Sequence, residues 1–120
     1  MTDQAPWPTE IKLREEGAEL VISFDNGEAF TFSAEFLRVE SPSAEVKGHG
    51  KGQEVTVPGK RNVKIIGVEP VGNYAVRLRF DDLHDTGIFS WEYFLEHGRD
   101  MDSIWAGYLE KLETEGKSRD

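Results

Sequence analysis

Cysteine is absent from this sequence. That excludes disulfides, thiolate metal sites, iron–sulfur ligation by the chain's own side chains and cysteine catalysis. Long hydrophobic runs are missing too, and nothing approaches the roughly 20 apolar residues that span a bilayer. The opening segment, Met1 to Pro8, has neither the basic start nor the apolar stretch of a signal peptide. Basic charge is scarce: 14 Lys and Arg face 23 Asp and Glu, for a net charge of −9. Nucleic-acid binding, which needs a basic face to neutralise phosphates, is therefore not expected. Internal repeats, heptad arrays and low-complexity tracts are also lacking. A cytoplasmic address and no membrane association fit these absences.

What remains is 120 residues with 38% hydrophobic and 31% charged side chains. That is one domain, 1–120, with a core over about 8–113 and flexible tails. The charge is uneven: residues 81–120 carry 4 basic and 11 acidic side chains. A basic patch, Lys47, Lys51, Lys60, Arg61 and Lys64, is interrupted only by Glu54. It reads as a solvated loop or as a docking surface for an acidic partner.

The pattern predicts an α+β fold. Trp7, between two prolines, anchors an N-terminal arm. Ile11 and Leu13, then Leu20, Ile22 and Phe24, then Phe30 and Phe32 alternate with polar residues. Residues 10–33 form an antiparallel β-meander with turns at Glu16-Gly17 and Asn26-Gly27, the latter suited to type I′. Ser33 caps a short helix, Ala34–Arg38, and Ser41 with Pro42 starts another. A glycine-rich loop runs from Lys47 to Lys60, with Val55 and Val57 as a brief edge strand. A second β-hairpin follows. Val63–Val68 leads through a turn at Pro70–Asn73 to a strand whose Tyr74, Val76, Leu78 and Phe80 share the buried face. Gly87–Ser90 returns. Ser90 caps a helix ended by His97-Gly98. Met101, Ile104, Trp105, Tyr108, Leu109 and Leu112 stripe a C-terminal amphipathic helix, capped by Asp100 or Asp102 and stopped by Gly116. Lys117–Asp120 is expected to fray.

Chemistry concentrates in Asp81, Asp82, His84, Asp85 and Thr86. Carboxylates beside an imidazole hold a divalent metal or move a proton, and the same residues also build tight polar turns. No helical metal spacing or calcium-loop pattern is present. Gly48 to Gly52 lacks the ending and the strand-to-helix setting of a phosphate loop. Ser41 and Ser43 have no base partner in sequence.

Two stretches carry a resemblance: Leu37-Arg38 with Ser41-Pro42-Ser43-Ala44-Glu45, and Val71 to Trp91, including Gly72-Asn73-Tyr74-Ala75-Val76 and Asp82 through Trp91. Over about residues 8–95 the chain resembles the stand-alone bacterial domains related to the N-terminal domain of gamma-butyrobetaine hydroxylase. In hydroxylase-type relatives that domain holds zinc through three cysteines and one histidine. The resemblance places those ligands at Ser41, Ser43, Val46 and His84, so three of the four are replaced. It also implies glycine where Leu83 stands. The hydroxylase's iron and oxoglutarate site lies in a separate domain, so no oxygenase activity is implied. Similar domains occur fused to ATPases that carry iron–sulfur clusters. The expectation is therefore a non-catalytic accessory domain that binds a protein, such as an iron–sulfur carrier ATPase, through the basic patch or the acidic C-terminal surface. No cofactor is expected. The alternatives are weak binding of iron or zinc by His84, Asp82 and Asp85, and an undiscovered enzyme.

Overall fold

The computed structural model describes residues 6–47 and 54–120. The described residues form two three-stranded antiparallel sheets and four α-helices; both sheets pack with the first and third helices around the main core, and the last helix closes a smaller cluster against Val39. The first sheet is the expected meander: β1 (Pro8–Arg14), β2 (Glu19–Phe24) and β3 (Ala29–Ser33). Its register follows the side-chain alternation. Ile11 lies opposite Ile22, Leu20 opposite Phe32, and Ile22 opposite Phe30, which gathers the apolar set on one face. The β2–β3 turn falls where Asn26-Gly27 puts it but is not type I′. Only Gly27 takes positive φ, and Phe24 and Glu28 close a three-residue loop ending in that left-handed glycine. Asn26 Oδ1 accepts the Glu28 amide at 3.0 Å, which holds Asn26 out of the left-handed region. At the β1–β2 turn, Gly17 lies on the backbone of Ile65. A Cβ there would sit 2.3 Å from the Ile65 carbonyl oxygen.

Ser33 caps α1 (Ala34–Val39) by accepting the Phe36 amide at 3.0 Å. α2 (Ala44–Lys47) begins two residues later than Pro42 suggested, because Ser43 rather than Ser41 takes the Glu45 amide. Lys51 and the glycines at 48, 50 and 52 lie outside the described residues. Val55 and Val57 form no strand, although the Val55 amide donates to the Val46 carbonyl.

The second sheet is β4 (Ile65–Val71), β5 (Ala75–Phe80) and β6 (Ile88–Ser90). β4 runs on through Pro70, so the turn shifts to 72–74. Tyr74 consequently sits in that turn, 56% exposed, and does not share the buried face of Val76, Leu78 and Phe80. Ser90 caps α3 (Trp91–Arg99) through the Tyr93 amide. Gly98 does not end this helix. It lies inside it because a Cβ would come within 2.5 Å of the Phe30 ring. Phe32, Phe80, Phe89 and Phe94 centre the core.

The last helix, α4 (Met101–Thr114), buries Tyr108 and Leu112 against Val39, while Leu109 is exposed, so its apolar stripe is narrower than the spacing implied. Asp100 precedes it without a side-chain cap. The end of the chain is docked, not frayed. The Gly59 amide donates to the Ser118 carbonyl and the Arg61 amide to the Arg119 carbonyl. Arg119 forks onto Glu35, a carboxylate buried in α1, at 2.8 and 2.7 Å, and lies over the Trp105 ring. No helix among the described residues is long and apolar enough to cross a membrane.

Candidate functional site

The α1–α2 connection and the β5–β6 loop meet at one buried polar cluster. Ser41 is fully buried and His84 is 4% exposed. His84 makes 2.8 and 2.9 Å contacts, from Nδ1 to Glu45 Oε1 and from Nε2 to Ser41 Oγ. A carboxylate only accepts, so neutral His84 carries its proton on Nδ1, and Ser41 donates to Nε2. The Ser41 oxygen in turn accepts the Ser43 amide at 3.2 Å. Ser43 shares a 2.6 Å hydrogen bond with Thr86, tying the second serine to the same loop. Gly87 is required beside them, since a Cβ would stand 2.5 Å from Ser41 Oγ. Burial pushes the His84 imidazole below its ordinary range, and the Arg38 guanidinium adds to this. Glu45 and Asp82 pull the other way.

Asp82 anchors the outer side. Burial would raise its carboxyl, but Lys60, the His84 amide and Arg38 outweigh that and hold it down at about 2. Lys60 Nζ and Arg38 Nε each donate to Oδ2 at 2.7 Å, and the His84 amide donates to Oδ1 at 3.0 Å. Between them Leu83 takes a left-handed φ of +74° with its side chain 85% exposed. The backbone the resemblance associates with glycine is thus kept by a leucine, at a cost of about 1–2 kcal/mol.

The structure brings Ser41, Ser43 and His84 together, and Val46 lies on the adjoining turn, its amide bonded to the Ser43 carbonyl. These residues do not fit a tetrahedral zinc ion. Hydroxyls are poor zinc ligands, valine is none, and both His84 nitrogens have protein partners. Among the described residues no three His, Asp or Glu side chains converge in metal-binding fashion. Asp85 is half-buried and near enough to Arg77 to favour that cation's charge.

Of the basic patch, Lys47 pairs with Glu40 at 3.3 Å, Lys60 with Asp82, and Arg61 with Asp120. Lys64 contributes backbone bonds to Asp81. Lys51 lies outside the described residues. Sequence reasoning missed Glu45, Arg38 and Lys60 as partners of this loop. The separations of 39 and 44 positions for Glu45–His84 and Arg38–Asp82 leave no local pattern.

A serine hydroxyl on an imidazole that is oriented by a carboxylate is the arrangement of a nucleophilic triad. Here its serine is sealed. The best-formed cavities among the described residues are lined by neither Ser41 nor His84. The network instead cross-links two loops that are 43 positions apart.

The family described as gamma-butyrobetaine hydroxylase-like, N-terminal, matches residues 11–95. Two solution structures determined by NMR resemble the chain throughout. One is 45% identical with a TM-score of 0.83, covering 98% of this chain and 92% of its own. The other is 48% identical at the same TM-score, covering 99% and 90%. A crystal structure of a protein of unknown function from Acidithiobacillus ferrooxidans, in the DUF971 family, is 37% identical. It covers 72% of this chain and 86% of its own, with a TM-score of 0.56. No curated protein matches.

Proposed function

The chain belongs to the gamma-butyrobetaine hydroxylase-like, N-terminal family, and from that premise we propose that it is a non-catalytic accessory domain whose work is to bind another protein. One observation carries the reading. Among the described residues, the cluster with the makings of chemistry, Ser41–His84–Glu45, has its serine fully buried and its imidazole satisfied on both nitrogens. Such a network rigidifies a scaffold and offers a substrate no approach. Function then falls to the surface. The partner class on this reading is an iron–sulfur carrier ATPase, supported by the resemblance to domains fused to such ATPases. The cysteine-free chain has no thiolate of its own to hold a cluster. Metal binding by His84, Asp82 and Asp85 has weaker support, because both Asp82 oxygens are already hydrogen-bonded.

The test is affinity purification of the tagged chain from its own cells, with partners identified by mass spectrometry and assayed for iron and sulfide. The expected result is one protein retained in near-stoichiometric amount and carrying iron and sulfide. Retention of a protein without them would remove the iron–sulfur assignment. In parallel the purified chain is treated with a fluorophosphonate. Labelling of Ser41 that disappears in Ser41→Ala, or no partner above the untagged control, overturns the reading.

A further inference from the structure

Between the N-terminal arm and α3 lies an open groove of about 630 Å³, lined by Trp7, Trp91, Leu95, Glu92, Glu96 and Arg99 among others. The Trp7 backbone and the Trp91 indole are both fixed. The Trp7 amide donates to Asp25 Oδ1 at 3.0 Å, and the Asp25 amide donates back to the Trp7 carbonyl. Trp91 Nε1 donates to the Asn73 carbonyl at 2.9 Å. The rings meet edge to face, centroids 6.4 Å apart at 70°. The Trp7 ring remains 50% exposed, and together with Trp91 it presents aromatic surface to the groove.

Charge decides what such a groove would take. Glu92 and Glu96 are exposed, four apart on one face of α3, and form no ion pair among the described residues. Like charges at that spacing repel until a cation lies between them. Arg99 does not serve, because its guanidinium is bound to Glu28. Indole faces attract cations, and a planar guanidinium both stacks on an indole and forks onto carboxylates. An anion would be repelled here, and a purely apolar segment would leave the carboxylates uncompensated.

We infer that this groove receives an arginine side chain presented by the protein partner. The inference rests on the accessory reading above and gives the partner's contact a chemistry.

The test follows the indole N–H signals by NMR, with Trp105 as internal reference, while acetyl-Ala-Arg-Ala-amide is titrated in. Saturable shifts are expected at the Trp7 and Trp91 signals and not at Trp105. The citrulline counterpart should bind at least about 10-fold more weakly. Glu92→Gln with Glu96→Gln, exposed positions that leave the fold alone, should weaken binding about 3- to 10-fold. Trp7→Ala should do so about 3- to 30-fold. Equal binding of the citrulline peptide overturns the inference, as does tetramethylammonium binding as tightly as the arginine peptide. A purified partner held equally well by the Trp7, Glu92 and Glu96 variants overturns the groove while leaving the accessory reading intact. Arginine-peptide binding in a chain that retrieves no partner overturns the accessory reading while the groove's preference for cations stands.

Discussion

Removing Arg119 should destabilise the protein by about 3 kcal/mol. Its partner Glu35 is 5% exposed and accepts two charge-assisted hydrogen bonds from the guanidinium. Deleting one member of a buried pair strands the other and costs about 3–5 kcal/mol. The Arg119 side chain reaches solvent, which places this pair near the lower end. Loss of the contact over Trp105 adds about 0.5 kcal/mol. At about 4 °C per kcal/mol for a domain of this size, Arg119→Ala should melt about 12–14 °C lower. Urea unfolding by tryptophan fluorescence and thermal unfolding by circular dichroism both measure this. In a double-mutant cycle with Glu35→Gln, the coupling should reach about 2 kcal/mol, because a neutral amide tolerates isolation better than a carboxylate. A loss below about 0.5 kcal/mol in Arg119→Ala, or additive single mutants, would refute the docked end of the chain.

Three further outcomes follow from named residues. Leu83→Gly relieves the left-handed φ and should raise stability by about 0.5–1 kcal/mol, seen as a higher urea midpoint at unchanged slope; a lower midpoint would contradict the strain argument. Gly98→Ala and Gly107→Ala should have opposite signs. The first drives a methyl into Phe30 and costs about 1–3 kcal/mol, while the second, in open space on α4, gains about 1 kcal/mol; a gain in both would mean that Phe30 does not set the spacing. Stability should also fall in two acid stages. Burial holds His84 and His97 below 6.5, so the unfolded chain takes up protons first and stability drops as the pH falls below about 6.5. Asp82, held at about 2 against 3.8, adds a second loss between about pH 4 and 2, worth about 1–2 kcal/mol after solvent screening. Urea midpoints across pH should lose the first stage's His84 share in His84→Gln and the second in Asp82→Asn; unchanged profiles in both variants would refute the assignments.

What was legible in the sequence was local. Ser33 and Ser90 announce their helices because a cap is satisfied within three residues. The meander was readable because alternation and register are set strand by strand. Gly98 was misread for the same reason: a glycine near a helix end suggests a stop, and only the Phe30 ring, contributed by β3, shows otherwise. Tyr74 fitted the alternation of β5 but was taken by the turn, which moved when β4 continued through Pro70. The polar cluster was half legible. His84 stood out among carboxylates, and the resemblance placed Ser41 and Ser43 beside it. The carboxylate that orients the imidazole, Glu45, and the cations that hold Asp82 came from elements far along the chain. Ion pairs over such distances follow from the tertiary arrangement and leave no periodic trace.

The Glu35–Arg119 fork has a temporal side. The two residues are 84 positions apart. At about 5–20 residues per second, a ribosome adds the cation roughly 4–17 s after the acid. Throughout that interval the first helix holds a carboxylate destined for the interior without the guanidinium that pairs with it. Such a helix would stay loosely seated on the nascent sheet, and its final docking would wait for Arg119.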